Sequence, residues 1–212
     1  MASKLIVLTD FGDDPDDGAA AVDYMLEPYD AIDIIITTGD VHTRLKIFYH
    51  LFHEWFQNGI LTMYSDYFIN EHGTRIHVYI GDTTKREINA PTPDMECYAH
   101  SAHSYFNQKR EYSQYDALVL APLDGLQLPD NFTPRNTVVV GSNPFSLLPR
   151  SVNTGSGMQK DSLNVLDANF RQLNKCTNIT YLASSHTQKS APRFNAHTIQ
   201  KYPLNLQTQC WD

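Results

Sequence analysis

Five of the eight residues from Asp10 to Asp17 are aspartates, in the order Asp10-Phe-Gly-Asp-Asp-Pro-Asp-Asp17. Carboxylates at this spacing repel one another and cannot all ionise cheaply in a partly buried loop. A hard divalent cation removes that cost, and oxygen ligands on a short loop suit Ca²⁺, or Mg²⁺ in its place. The competing reading is a solvated acidic turn that caps a helix, with Asp14, Asp16 or Asp17 favoured near the positive N-terminus. An EF-hand does not fit. Its frame would put Pro15 at the third position and Tyr24 where the bidentate Glu belongs.

The flanking residues favour the metal. Leu5-Ile-Val-Leu8 is continuously apolar, as a strand covered on both faces should be. After the loop, Ala19, Ala20, Val22, Met25 and Leu26 recur near the helical period. Strand, acidic loop, helix is how an α/β sheet presents chemistry at the carboxyl end of a strand.

Further strands are expected at 31–40, 76–81, 116–121, 137–141 and 179–183, where β-branched runs end in polar or Gly-containing turns. Val41 to Phe56 reads as one amphipathic helix, with Val41, Leu45, Phe48, Phe52, Trp55 and Phe56 on a single face. His50 and His53 lie on its opposite face with Lys46 and Gln57, so their metal-like spacing reads as a solvated surface. A helix is expected around 98–109 and another over 161–173, with a surface loop at 151–160. Strands alternating with helices predict an α/β fold: one doubly wound, mostly parallel sheet over residues 1–187, followed by a polar tail at 188–212.

Composition narrows the function classes. A net charge of -8 gives no help to binding a polyphosphate backbone, so nucleic acid is not an expected partner. No apolar run approaches the roughly 20 residues of a membrane span. Met1-Ala-Ser-Lys4 leads straight into a strand without a signal peptide's apolar segment, and Cys97, Cys176 and Cys210 form no CxxC pair. A cytoplasmic protein with reduced thiols is the expectation.

Thr9-Asp-Phe-Gly-Asp-Asp-Pro-Asp-Asp17 resembles the acidic signature of the nucleoside hydrolase superfamily, the Ca²⁺-dependent N-ribohydrolases of the inosine-uridine type. The family's usual form is DxDPGxDD, and the longer spacing here looks like a divergent branch. Ile36-Thr-Thr-Gly-Asp-Val41 resembles its ITTxGN turn, and Ile76-His-Val-Tyr-Ile-Gly81 its PVYxG strand. Leu120-Ala-Pro-Leu-Asp-Gly-Leu126 resembles GPLTNLA, and Asp161-Ser-Leu-Asn-Val-Leu-Asp167 the EFNxxxDP region. These segments keep the family's order.

The resemblance implies an enzyme that hydrolyses the N-glycosidic bond of a nucleoside or related riboside. Asp10 would bridge Ca²⁺ and act as general base on water. Asp17 and the carbonyl of Leu120 would also hold the metal. Asp16, Asp40 and Asn164 would bind the sugar, and His186 would stand in as the acid, with His100 and His103 as substitutes. Homo-oligomers are common in the family, and Tyr64, Tyr67 and Phe68 are candidates for an interface. The chain departs from the pattern at Asp40 (Asn in the family), Ser162 (Glu), Ala121 (Gly) and Gly125 (Asn). The family's late His-Asp pair has no counterpart here. A shortened member is implied, and so is an alternative: a catalytically degenerate fold that serves as a binding or structural protein. A phosphatase of the DxD kind is disfavoured by Gly12, where that mechanism needs an acid-base Asp.

Overall fold

The structure, a computed structural model, describes residues 3–12, 16–84, 88, 91–140 and 160–182. Its centre is β1 (Lys4–Thr9), whose Ile6 and Val7 are fully buried. β1 pairs in parallel on one side with β2 (Ala31–Ile36) and on the other with β7 (Tyr115–Val119). Beyond β2 lies β5 (Arg75–Ile80), also parallel; beyond β7 lie β8 (Asn136–Val140) and β9 (Ile179–Leu182), parallel again. Two short strands, β3 (Leu61–Met63) and β4 (Phe68–Asn70), form an antiparallel hairpin against the start of β5. The end of β5 pairs with the two-residue β6 (His100–Ser101). Among the described residues the sheet has nine strands, in the order β3-β4-β5-β2-β1-β7-β8-β9 with β6 beside β5. An α/β fold with a mostly parallel sheet is what the alternating pattern predicted.

Both faces of the sheet are covered, which is why its central strands are apolar on both sides. On one face Leu5, Val7, Ile34 and Val78 meet α1 (Asp16–Met25), α2 (Val41–Leu51) and α3 (His53–Gln57) through Val22, Met25, Phe48 and Trp55. On the other, Ile6, Leu8, Ile35 and Val119 meet Tyr105 of α4 (Ala102–Phe106) and Leu166 and Leu173 of α5 (Lys160–Leu173). None of the described helices is long and apolar enough to cross a membrane.

Three local differences from the sequence expectations have physical causes. The expected helix from Val41 to Phe56 is two: Phe52, at φ -98° and ψ 11°, closes α2 and opens α3. The bend lets the Phe52 and Trp55 rings pack at 5.0 Å and Phe52 reach Phe11 at 6.5 Å, so aromatic packing bends the helix. The β3–β4 hairpin escapes pattern reading because three-residue strands carry no periodicity. The helix expected over 98–109 is only α4, because His100 and Ser101 are taken up by strand pairing with Tyr79 and Ile80. Of the loop expected at 151–160, residues 151–159 lie outside the described residues and Lys160 already opens α5; the tail at 188–212 also lies outside them.

Candidate active site at the carboxyl ends of the strands

Four parallel strands release their chains on the same edge of the sheet, and hydrogen bonds between neighbours carry the alignment past the last paired residues. Thr37 N donates to Thr9 O at 3.0 Å, and Gly81 N to Ile36 O at 2.8 Å. Leu120 N and Ala121 N both donate to Leu8 O, at 2.8 and 3.1 Å. The turns after β1, β2, β5 and β7 therefore lie along one edge of the sheet with β1 at its middle, the edge at which α/β sheets form their ligand crevice. Asp10, Asp40 and Leu120, the residues singled out on the first, second and fourth turns, are brought to the same edge. Asp17 lies in the first turn of α1 and is buried at 9% exposure; Asp16 is the first residue of that helix. Asp13 and Asp14 lie outside the described residues, as does His186.

The second turn is strained. Thr38 and Gly39 both have φ of 72°, a left-handed conformation that costs a β-branched residue of the order of 1–3 kcal/mol. The surroundings hold Thr38 there. Its carbonyl accepts from Arg44 Nε at 2.6 Å, and its hydroxyl lies 3.1 Å from Pro122 O and 3.2 Å from Asp124 Oδ1. Gly39 exchanges bonds with Thr84, its N–H reaching Thr84 Oγ1 at 2.7 Å and its carbonyl accepting from Thr84 N at 2.9 Å. Against this turn lies Gly125, where a Cβ would sit 2.4 Å from Thr37 Oγ1 and 2.5 Å from Thr38 N. Where the resembled family carries Asn, only a residue without a side chain fits.

Arg44 of α2 is the residue that sequence reasoning missed. It is fully buried, and its guanidinium donates to the carbonyls of Asp10, Phe11 and Thr38, lacing the first turn to the second. It stands at helical spacing on the apolar stripe of Val41, Leu45 and Phe48, and a charge on such a stripe signals a buried partner. Its positive charge at the base of the acidic loop offsets part of the repulsion that a metal would otherwise have to relieve alone.

Asp40 is the N-cap of α2. Its Oδ1 accepts from His42 N at 3.1 Å and Thr43 N at 3.3 Å, and its Oδ2 from the Thr43 hydroxyl at 2.8 Å. Burial pushes its pKa up, but the Thr43 and His42 hydrogen bonds outweigh that and hold it below the usual carboxylate value. The stability contributed by this cap is thus present above the unfolded pKa, near 3.9, and is lost as pH falls through the depressed folded value. Asp40→Ala is expected to cost about 1 kcal/mol at neutral pH, with the gap from wild type closing in acid. Asp40→Asn should cap nearly as well without the pH dependence. Urea unfolding of the three proteins at neutral and acid pH checks this; an equal cost for Ala and Asn would refute it.

Asn164 is exposed on α5. The α5 residue that reaches the turn after β7 is Asn169, fully buried. Its Nδ2 donates to Leu123 O at 2.8 Å and Leu126 O at 2.7 Å, and its Oδ1 accepts from Leu128 N at 2.8 Å. On the rim beside β5, His103 Nε2 lies 2.8 Å from Asp82 Oδ2, both side chains exposed. His100 stands away from that pair, 3.9 Å from Asp66. His50 and His53 are exposed, as the helix pattern implied.

The donors named for a metal are two carboxylates and a main-chain carbonyl. Oxygen donors of this kind fit a hard cation in type. Among the described residues no group of three or more His, Cys, Asp or Glu is placed to hold one, so the side chains of Asp10 and Asp17 would need further oxygen ligands. Comparison with protein-family models, with curated proteins and with solved structures gave no match to this chain.

Proposed function

We propose that the crevice hydrolyses the N-glycosidic bond of a nucleoside or related riboside, and that the chain is a divergent relative of the nucleoside hydrolases. The observation that carries this reading is the position of Asp10: first residue past the central strand, where neighbouring strands diverge to either side and α/β sheets place their ligands. Asp10 takes the proton of the attacking water. Its backbone is fixed for that task by Arg44, which grips the carbonyls of Asp10 and Phe11. Asp10, Asp17 and the Leu120 carbonyl would hold Ca²⁺, or Mg²⁺, which when bound supplies water activation and charge stabilisation. Asp16 and Asn164 are the sugar-binding candidates. Asp40 can join them only through lone pairs that its helix cap leaves over. His103, paired with Asp82 on the β5 rim, would serve as acid if His186 does not. A cytoplasmic, homo-oligomeric enzyme acting on a small molecule completes the proposal.

The test has two parts. Ribose release from a panel of ribosides should fall by about 10²–10⁴-fold in Asp10→Asn, the usual loss for a general base. EDTA should lower the melting temperature of wild type and leave Asp10→Ala/Asp17→Ala unmoved. Ribose release that survives Asp10→Asn would overturn the catalytic role, and melting curves indifferent to metal would overturn the cation. A second reading, a non-catalytic binding or structural protein on this fold, draws on Asp40 being engaged in capping and on Arg44 already supplying a cation. A riboside that binds at the crevice without being cleaved would favour it.

A further inference from the structure

The large hydrophobic side chains exposed among the described residues are Met63, Tyr64, Tyr98 and Leu182. Three of these four line one shallow, open cleft between the β3–β4 turn and the segment leading into β6. Isolated exposed apolar residues need no explanation, but their concentration around one concavity marks a contact site.

The walls of the cleft are held rigid. Tyr64 N donates to Tyr67 O at 2.8 Å, closing the turn, and the two rings stack at 5.1 Å and 9°. The Arg75 guanidinium lies 5.7 Å from the Tyr67 ring, so the stack already engages one cation. Opposite, the Tyr98 carbonyl accepts from the Tyr49 hydroxyl at 2.8 Å, which anchors that wall to the buried floor. The Tyr98 ring meets His100 edge-on at 5.1 Å, with its hydroxyl 3.3 Å from His100 Nδ1. Tyr64 and Tyr98 nevertheless remain 49% and 58% exposed. Two aromatic walls are thus pre-organised and left open to solvent.

Electrostatics selects the occupant. The residues lining the cleft include one carboxylate, the half-exposed Asp66, and no lysine or arginine. Aromatic faces and a carboxylate both present negative potential, the combination that recognises an organic cation. An anion, or a base bearing a phosphate, would find no lysine or arginine among the lining residues to pair with. We propose that this cleft binds a small organic ammonium ion, its alkyl groups against Tyr64 and Tyr98 and its charge toward Asp66. None of the residues lining the cleft is among those assigned to the crevice, and the proposal does not depend on the reaction assigned there.

The full chain is titrated with choline and, separately, with its neutral isostere 3,3-dimethylbutan-1-ol, by calorimetry or amide shifts at Ser65, Asp66 and Tyr98. Saturable binding of choline is expected, with a preference of about fivefold or more over the isostere, the order that cation–π attraction supports. Tyr64→Ala and Tyr98→Ala should each weaken it by a similar factor, and Asp66→Asn should weaken choline without affecting the isostere. Because these side chains are exposed, unchanged melting temperatures will show that the variants are folded. Equal affinity for the two compounds, choline binding that ignores the tyrosines, or no saturable binding would each overturn the proposal. So would sedimentation showing that the same patch joins two copies of the chain in a dimer that Tyr98→Ala dissociates.

Discussion

Arg44→Met is expected to lower the unfolding free energy by about 3–5 kcal/mol, because three main-chain carbonyls lose one charged donor together. Methionine refills most of the volume and spares the cost of burying a charge, so the loss isolates the hydrogen bonds. The carbonyls of Asp10, Phe11 and Thr38 lose their shared donor, at about 1–3 kcal/mol for each one left dry. The left-handed Thr38 loses the hydrogen bond that holds its carbonyl in place, and the acidic loop loses the positive charge at its base. Arg44→Lys should recover only part of this. An ammonium is a point charge that lacks the planar fork needed to span two turns. Urea unfolding midpoints for the three proteins decide the matter. A methionine variant within about 1 kcal/mol of wild type, inside the range of a single ordinary hydrogen bond, would show that the guanidinium does not hold the turns together.

Asn169 should be nearly as sensitive. Asn169→Leu, close in size, leaves the carbonyls of Leu123 and Leu126 and the N–H of Leu128 without their partner, for an expected loss of about 2–4 kcal/mol. Asn169→Asp separates hydrogen bonding from packing. It keeps the acceptor for Leu128 N but turns a carboxylate oxygen toward two carbonyls, so at neutral pH it should be at least as damaging as leucine. Thermal unfolding of both variants measures this. An aspartate variant as stable as wild type would mean that Asn169 serves only to fill space.

The strands that build the crevice are legible because their centres are rich in apolar and β-branched residues, and burial on both faces is the condition that produces such composition. Leu5-Ile-Val-Leu8 and Ile34-Ile-Ile36 announce themselves in this way. The turns are legible only in their chemistry. Asp10 could be placed by its position after a strand, but nothing near it in sequence names Arg44, 34 residues on, as its neighbour. Arg44 and Asn169 share one sequence signal, a polar residue on the apolar stripe of a helix, beside Leu45 and Phe48 in one case and Leu166 and Leu173 in the other. That pattern predicts a buried polar partner without saying where it is. Asp40 illustrates the converse. Its place directly before Val41, three residues ahead of Thr43, is an N-cap signature, and the motif resemblance drew attention to the sugar instead. The β3–β4 turn, whose tyrosines line the proposed cation cleft, carries no periodic signal because strands of three residues cannot show one.

The central place of β1 has a consequence for how the protein is made. β1 leaves the ribosome before either strand it pairs with, and its second neighbour begins only at Tyr115. The turn after that neighbour is in turn pinned by Asn169, later still in the chain. Until those segments are synthesised, Leu5 to Leu8 is an apolar strand with an open edge and the acidic loop has no opposing wall. Long-range parallel pairing of this kind is slow to form and leaves sticky intermediates. The crevice therefore forms late in the making of the molecule, and the nascent β1 segment is the natural point of engagement for a chaperone.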